Sequence, residues 1–174
     1  REIGRLREWA FRESGGGTGK SVDIDEFDTR DEAYFEQLIV WDPKEKEILG
    51  GYRFIDCSKL NIKDNGQTDT PTSELFYYSE DFIKNYLPYT IELGRSFIQP
   101  KYQSTGNVRK SIFTLDNLWD GLGAVLNNTP SAKYFFGKIT MYSQYDKALR
   151  DMILFFMKKF FPDHENLVYP YPDK

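Results

Sequence analysis

An apolar segment with two opposite charges, residues 91–98 (Ile-Glu-Leu-Gly-Arg-Ser-Phe-Ile), most constrains the fold of this chain. Its composition predicts a β-strand, whose side chains alternate between the two faces of a sheet. Glu92 and Arg95 would therefore point to opposite faces unless Gly94 marks a β-bulge that redirects one of them. Because desolvated charges persist in proteins where they are paired or used, this strand predicts a functional site.

The segments around this strand predict a mixed α/β fold. Pro100 ends the strand, a turn at residues 104–107 follows, and an apolar stripe from about Val108 to Leu126 predicts a long helix. Residues 57–73 are polar and predict an exposed loop. The other predicted elements are a helix over 1–13, hairpin strands over 35–41 and 48–55, a short helix over 81–86, a strand over 134–141 and a helix over 144–160. This order favours a sheet whose last crossovers are parallel.

Composition limits the classes of function. The chain has 174 residues, of which 40% are hydrophobic, and this predicts one well-packed domain over residues 1–174; whether it belongs to a longer protein stays open. A net charge of −4 disfavours nucleic-acid binding. Cys57 and His164 are the single cysteine and histidine, so an internal disulfide and a Cys/His zinc site are excluded, and no metal is predicted. Without an apolar run of about 20 residues or a signal-peptide pattern, we expect a cytoplasmic protein.

A glycine-rich segment, residues 15–21, is similar to a phosphate-binding loop. The pattern needs another glycine where Ser14 stands, and it needs a preceding strand, whereas here a predicted helix precedes it. A nucleotide-triphosphate site is therefore disfavoured. We expect instead a mobile lid that closes over a cleft.

Further charges stand beside apolar residues in the first third of the chain. Asp25 and Asp28, three residues apart and next to aromatic side chains, either belong to a solvated loop or anchor arginines or an amine. Asp23 is interpreted as solvated. Arg53 follows two glycines in a predicted strand, and it is either a snorkelling edge residue or a residue beside a closely approaching ligand.

Several of these residues together resemble a known family. The motifs are Arg7 with Phe11, Asp25 with Asp28, Gly50-Gly51-Tyr52-Arg53, and Glu92-Leu93-Gly94-Arg95. Their order and spacing resemble those of the acyl-homoserine lactone synthases and, more closely, of the hemolysin-like, ornithine-lipid-type N-acyltransferases, over roughly residues 3–160. The resemblance implies a GNAT-like α/β fold with a mixed, mostly antiparallel central sheet flanked by helices.

The resemblance also implies an activity, namely transfer of a long-chain acyl group from acyl carrier protein to the amine of an amino acid, as in ornithine- or glycine-lipid synthesis. O-acylation of a lysolipid and a non-catalytic lipid-binding or membrane-surface module remain alternatives. The pyrophosphate-binding signature of GNAT enzymes is absent after Pro100, because residues 103–107 keep only the first glycine. This favours a carrier-protein thioester over acyl-coenzyme A as donor, with no tightly bound cofactor. The tryptophan that lactone synthases carry after Phe11 is missing, which disfavours lactone synthesis.

Roles follow from the resemblance and from thioester chemistry. Glu92 would accept the amine proton or hold an arginine in place, and Arg95 and Arg53 would bind a carboxylate or complete a charged network. These three residues are the predicted catalytic set. The predicted substrate-binding residues are Arg7, Phe11, Asp25 and Asp28. The predicted donor-binding residues are Phe97, Ile98, Ser104, Thr105, Gly106, Arg109 and Lys110. Tyr142 and Tyr145 are candidates to protonate the leaving thiol.

Acyl carrier protein is acidic, so its docking patch should be basic. Candidates are Lys101, Arg109 and Lys110, with Lys138, Lys147 and Arg150 on neighbouring elements. The last predicted helix carries a stripe of apolar residues that favours a core position, with an acyl tunnel or contact with the inner membrane as alternatives. These residues are Leu154, Phe155, Phe156, Phe160 and Phe161.

Overall fold

A computed structural model describes residues 1–31, 35–103 and 108–172 of the chain. The helices and strands are α1 (Glu2–Glu13), β1 (Glu36–Asp42), β2 (Glu47–Asp56), β3 (Phe76–Tyr78), β4 (Thr90–Ile98), α2 (Val108–Asn128), β5 (Tyr134–Gly137), α3 (Lys147–Phe160) and β6 (Val168–Pro170). Three of the predicted donor-binding residues, Ser104, Thr105 and Gly106, lie outside the described residues.

The central sheet has the strand order β1-β2-β4-β5. β1 and β2 form the predicted hairpin, whose turn is held by Asp42 Oδ1, which accepts from the Lys44 and Glu45 amides at 2.9 and 3.1 Å. β2 and β4 are antiparallel, and β4 and β5 are parallel. The mixed, mostly antiparallel sheet is thus as predicted. β3 and β6 form a separate antiparallel pair that was not predicted, because three-residue strands carry no readable periodicity.

β4 contains the bulge that its charges suggested. Gly51 pairs with Phe97 and Arg53 pairs with Gly94, so a single β2 residue stands opposite two β4 residues, Arg95 and Ser96. Arg95 itself has a positive φ of 50°, a conformation that side chains other than glycine adopt at a cost. The strained residue is therefore Arg95, and Gly94 precedes it.

The two faces of the sheet carry different layers. On one face α1 packs Leu6 and Ala10 against Phe97, and the residues around Ile55 form a larger core cluster. α2 covers the other face through Leu118, which packs with residues of β1 and β2. This approach is close: a Cβ on Gly121 of α2 would lie 2.9 Å from Leu38 Cδ1.

Two predictions about exposure are wrong. Residues 57–73 do not form an exposed loop throughout, since Thr68, Thr70 and Thr72 are each at most 3% exposed. Polar groups of this segment form hydrogen bonds within the protein. For example, the Gln67 side chain donates to Tyr78 O and accepts from Tyr78 N, at 3.0 and 2.8 Å. α3 has no buried residue, so its apolar side chains do not face the core of the described part of the chain. None of the described helices has the length and apolarity to cross a membrane.

Candidate active site

A cleft of about 1530 Å³ opens where β4 and β5 separate. The ladder between these strands ends at the pair Leu93 and Gly137, and no strand in the described ranges pairs with residues 94–98 on that side. The walls of the cleft come from α1, β2, β4, α2 and the segment after β5. Its lining includes the predicted site residues Phe11, Asp25, Arg53, Glu92, Arg95, Phe97 and Ile98.

Glu92 lies on β4 at the base of the cleft and is 3% exposed. Its Oε1 accepts a hydrogen bond from Thr72 Oγ1 at 2.7 Å, whereas its Oε2 has no hydrogen-bond partner among the described residues. Burial raises the pKa of Glu92, and the hydrogen bond from Thr72, the nearby Thr70 hydroxyl and the charges of Arg53 and Lys138 offset part of that rise. A buried carboxylate with a free oxygen and a raised pKa is suited to accept a proton.

Beside Glu92, buried arginines and aspartates form a network. Arg7 donates from Nη1 and Nη2 to the two carboxylate oxygens of Asp28, at 3.0 and 2.7 Å, and also to the carbonyl oxygen of Asp23. Burial raises the pKa of Asp28, but the hydrogen bonds from Arg7 and the Asp25 amide and the charges of Arg7 and Arg53 outweigh it and lower that pKa to about 2. Arg7 and Asp28 are not among the lining residues, so they support the wall from behind.

Arg53 and Arg95 meet the same acidic loop from the strands. Arg53 Nη1 lies 2.6 Å from Asp25 Oδ1 and 3.2 Å from Asp28 Oδ2, and its side chain is 2% exposed. Arg95 Nε lies 3.1 Å from Asp23 Oδ2, and its Nη2 donates to Asp25 Oδ2 at 3.4 Å. Arg53 was predicted either to bind a carboxylate or to complete a charged network. In the structure its side chain lies in a charged network with Asp25 and Asp28. The bulge turns Arg95 into this network, where a third of its side chain remains exposed.

Residues 6–111, from α1 to the start of α2, match the family model described as an acetyltransferase (GNAT) domain. The chain belongs to the GNAT family. This confirms the GNAT-like α/β fold predicted from the sequence, and the matched range contains the whole arginine and aspartate network together with Glu92.

Relatives of this GNAT chain include two proteins named glycine N(alpha)-acyltransferase. The one from Bacteroides thetaiotaomicron is 57% identical over 170 residues, which are 98% of this chain and 50% of the relative. The one from Phocaeicola vulgatus is 53% identical over 170 residues, which are 98% of this chain and 52% of the relative. The chain thus spans about half the length of these relatives. No solved structure gives a significant match.

Four further predicted residues lie in two places: Arg109 and Lys110 at the start of α2, and Tyr142 and Tyr145 after β5. Lys110, at the start of α2, pairs with Asp42 at 2.9 Å and lies 4.5 Å from the centre of the Tyr102 ring. Arg109 is exposed beside it. Tyr142 and Tyr145 both line the cleft. Lys110 is therefore held by a structural ion pair, and Arg109 is the more available of the two basic residues.

The glycine-rich segment forms a rim of the cleft. The Glu8 carboxylate accepts from the Thr18 hydroxyl, the Thr18 amide and the Gly19 amide at 2.6, 2.8 and 3.0 Å. The Thr18 hydroxyl contributes most to lowering the pKa of Glu8 to about 2, and Arg12 adds to it. A Cβ on Gly16 would lie 2.1 Å from Tyr142 Cε1, so the glycine allows the segment to pack against the chain that follows β5.

Sequence reasoning missed two residues of the site. Asp23 was interpreted as solvated, but it is 2% exposed and contacts both Arg7 and Arg95. Burial raises the pKa of Asp23, and the charges of the arginines offset part of that rise. Lys138, assigned to a docking surface, lines the cleft. No sequence pattern distinguishes these two from neighbouring charges, because both positions depend on contacts between distant segments.

Proposed function

We propose that residues 1–174 form the acyl-transferring domain of an N-acyltransferase that moves a fatty acyl group from a thioester to the α-amine of glycine or another small amino acid. The observation that carries the proposal is Glu92, buried at the base of the GNAT cleft with one carboxylate oxygen unpartnered among the described residues. The names of the two relatives, glycine N(alpha)-acyltransferase, support glycine as acceptor. The resemblance of the Gly50–Arg53 and Glu92–Arg95 motifs to those of ornithine-lipid-type N-acyltransferases supports a lipid product.

The proposed reaction needs few protein groups. The acceptor's ammonium first loses one proton to solvent, and Glu92 then accepts a second proton from the nitrogen of the attacking amine, directly or through water. The nitrogen then forms a bond to the thioester carbonyl carbon, and backbone groups of β4 beyond Leu93 face the developing oxyanion. The carbon–sulfur bond breaks, and the proton returns to the departing thiolate. Arg53 and Arg95 hold the acidic loop against the strands, which fixes the wall that the acceptor meets.

GNAT enzymes use acyl-thioester donors, and we propose acyl carrier protein as the donor here. The support is the reduced glycine content of residues 103–107, which lack the pyrophosphate signature. Purified protein given glycine and long-chain acyl carrier protein should form N-acylglycine, identified by mass spectrometry. We expect kcat/KM for this donor to exceed that for the matching acyl-coenzyme A at least about tenfold, which is the scale of a single lost or gained charge-assisted contact. Equal values for the two donors would contradict the carrier-protein assignment, and absence of any N-acyl product would contradict the function.

A charge reversal separates carrier docking from acceptor binding. Arg109→Glu should raise KM for acyl carrier protein and weaken its dependence on salt, because electrostatic encounter is screened over about 8 Å at physiological ionic strength. KM for glycine should stay unchanged. Lys84→Glu is the matched control, since Lys84 is exposed and pairs only with Glu80 of its own helical turn among the described residues. An equal response of the two variants would move the docking face elsewhere.

We also propose that α3 contacts an anionic membrane surface, where the acylated product would partition. Its apolar side chains are exposed, among them Met152 at 68%, Phe155 at 65% and Phe160 at 56%. The helix carries four basic residues and one acidic residue, in a chain whose net charge is negative. Basic amphipathic helices bind anionic lipid interfaces through both properties.

Liposome flotation tests this contact. The protein should float with vesicles that contain phosphatidylglycerol and much less with phosphatidylcholine alone, and added salt should reduce the bound fraction. Phe156→Glu should abolish flotation, whereas Phe113→Glu, at an exposed position of α2, should preserve it. Absence of flotation with either lipid would overturn the membrane contact.

A further inference from the structure

Lys138 stands at the point where the two central strands separate. It directly follows Gly137, the β5 residue that pairs with Leu93 of β4. Lys138 lines the cleft together with Glu92 and Gly94. The charges of Lys138 and Glu92 act on each other, so the lysine lies near the buried glutamate.

The cleft wall at Gly94 is open. A Cβ built on Gly94 would meet no atom within 4 Å, although Gly94 lies between Glu92 and Arg95 on the cleft wall. In an α-amino acid the amine and the carboxylate are bonded to the same carbon atom, so they lie close together on either side of it. Free space flanked by a carboxylate on one side and cations on the other matches that arrangement.

The cations of the cleft differ in how far they are neutralised. Arg53 is buried and paired with Asp25 and Asp28. Arg95 is paired with Asp23 and Asp25 but is one third exposed. Lys138 is exposed at the cleft and makes no ion pair with the described residues, and its pKa is lowered by partial desolvation and by the charge of Arg95, with Glu92 and Glu74 opposing the shift. An anion between Lys138 and Arg95 would relieve this repulsion.

We propose that Lys138, together with Arg95, binds the carboxylate of the amino-acid acceptor, while the acceptor's α-amine lies at Glu92 and its α-carbon lies over Gly94. The inference rests on the proposed function and deepens it, because it makes the carboxylate of the acceptor a recognised group. A free amino acid is then preferred over a simple amine or an amino-acid amide.

Steady-state kinetics with two acceptors test this assignment. Lys138→Met should raise KM for glycine about 10- to 100-fold, the scale of one charge-assisted hydrogen bond, with kcat changed less than about threefold. Glycinamide keeps the amine but lacks the carboxylate, so its kcat/KM should barely change. The ratio of kcat/KM for glycine to kcat/KM for glycinamide should therefore fall sharply in the variant. The difference in amine basicity between the two acceptors is the same for both proteins, so it does not affect this comparison of variant with wild type.

Matched variants complete the design. Lys138→Arg should keep most of the preference for glycine. Lys133→Met should leave every constant unchanged, because Lys133 lies over the Tyr89 ring at 4.3 Å and does not line the cleft. Gly94→Ala, whose added methyl group meets no protein atom, should raise KM for both acceptors by occupying the space over β4.

Each other outcome overturns the proposal in a recognisable way. Equal losses of kcat/KM for glycine and glycinamide in Lys138→Met would place Lys138 in the chemistry rather than in carboxylate binding. A raised KM for the acyl donor alone would place it in carrier docking. If the wild-type protein acylates neither acceptor, the proposed function itself fails, and this result is distinct from an unchanged preference in an active Lys138→Met variant.

Discussion

Glu92→Gln is expected to lower kcat for acyl transfer about 10²- to 10⁴-fold, the contribution typical of a positioned general base, while the protein stays folded. Gln is close in shape to Glu and keeps an oxygen that accepts from Thr72, but it does not take up a proton from the amine. Steady-state kinetics between pH 6 and 9, with circular dichroism as a check of folding, measure the effect. Glu36→Gln, at an exposed residue of β1, is the matched control. Wild-type rates in Glu92→Gln across that pH range would contradict the assignment.

The pH profile identifies the proton acceptor more directly. Because burial raises the pKa of Glu92, wild-type kcat/KM should rise with pH through that raised pKa, and this limb should vanish in Glu92→Gln. The hydrogen bond from Thr72 favours the ionised form, so Thr72→Val should move the limb to higher pH and Thr72→Ser should restore it. A limb that stays in place in Thr72→Val would show that another group titrates.

Glu92 also has a defined effect on stability. A carboxyl whose pKa is raised in the folded state destabilises folding at neutral pH and does so less as the pH falls from the raised pKa toward 4.5. The free energy of unfolding of Glu92→Gln at pH 7 should therefore equal or exceed that of the wild type. Activity and stability would then oppose each other at this residue.

Arg7→Met is expected to lower the free energy of unfolding by about 3–5 kcal/mol, the scale for removing one partner of a buried ion pair. Arg7 is 1% exposed and donates two hydrogen bonds to Asp28, so its loss leaves buried carboxylates without their main partner. Urea denaturation at pH 7 measures the change. Arg5→Met is the control on the same helix, because Arg5 pairs with Glu2 at 2.6 Å with both side chains more than half exposed, and such pairs contribute at most about 1 kcal/mol.

The same network predicts how stability depends on acid. The pKa of Asp28 is lowered to about 2, so its contribution is present above the unfolded value near 3.8 and is lost as the pH falls toward 2. In Arg7→Met this loss should be smaller, since the Arg7 hydrogen bonds, which lower the pKa of Asp28 most, are gone while the Asp25 amide and Arg53 remain. If Arg7→Met and Arg5→Met unfold at the same urea concentration, the network does not stabilise the fold.

Local patterns determined a large part of this architecture. The helix over 1–13, the hairpin of β1 and β2, the strand around Glu92 and the long helix from Val108 were all predicted from periodicity, Gly and Pro, because these signals act over a few residues. The charged residues of β4 also pointed to the site, since charge in an apolar strand requires a partner. The GNAT-like fold was predicted from short motifs, and the match of residues 6–111 to the GNAT domain model confirms it.

Only the tertiary structure decided which charges meet. No sequence feature separates Asp23 from the exposed Glu26, yet Asp23 lies between Arg7 and Arg95. The bulge that turns Arg95 toward Asp23 is set by pairing with β2. Lys138 enters the cleft because β5 stops pairing with β4 one residue before it. The exposed apolar face of α3 likewise has the periodicity of a core helix. Periodicity reports which side of an element is apolar, whereas the partner of that side depends on contacts between segments far apart in the chain, which a single sequence does not encode locally.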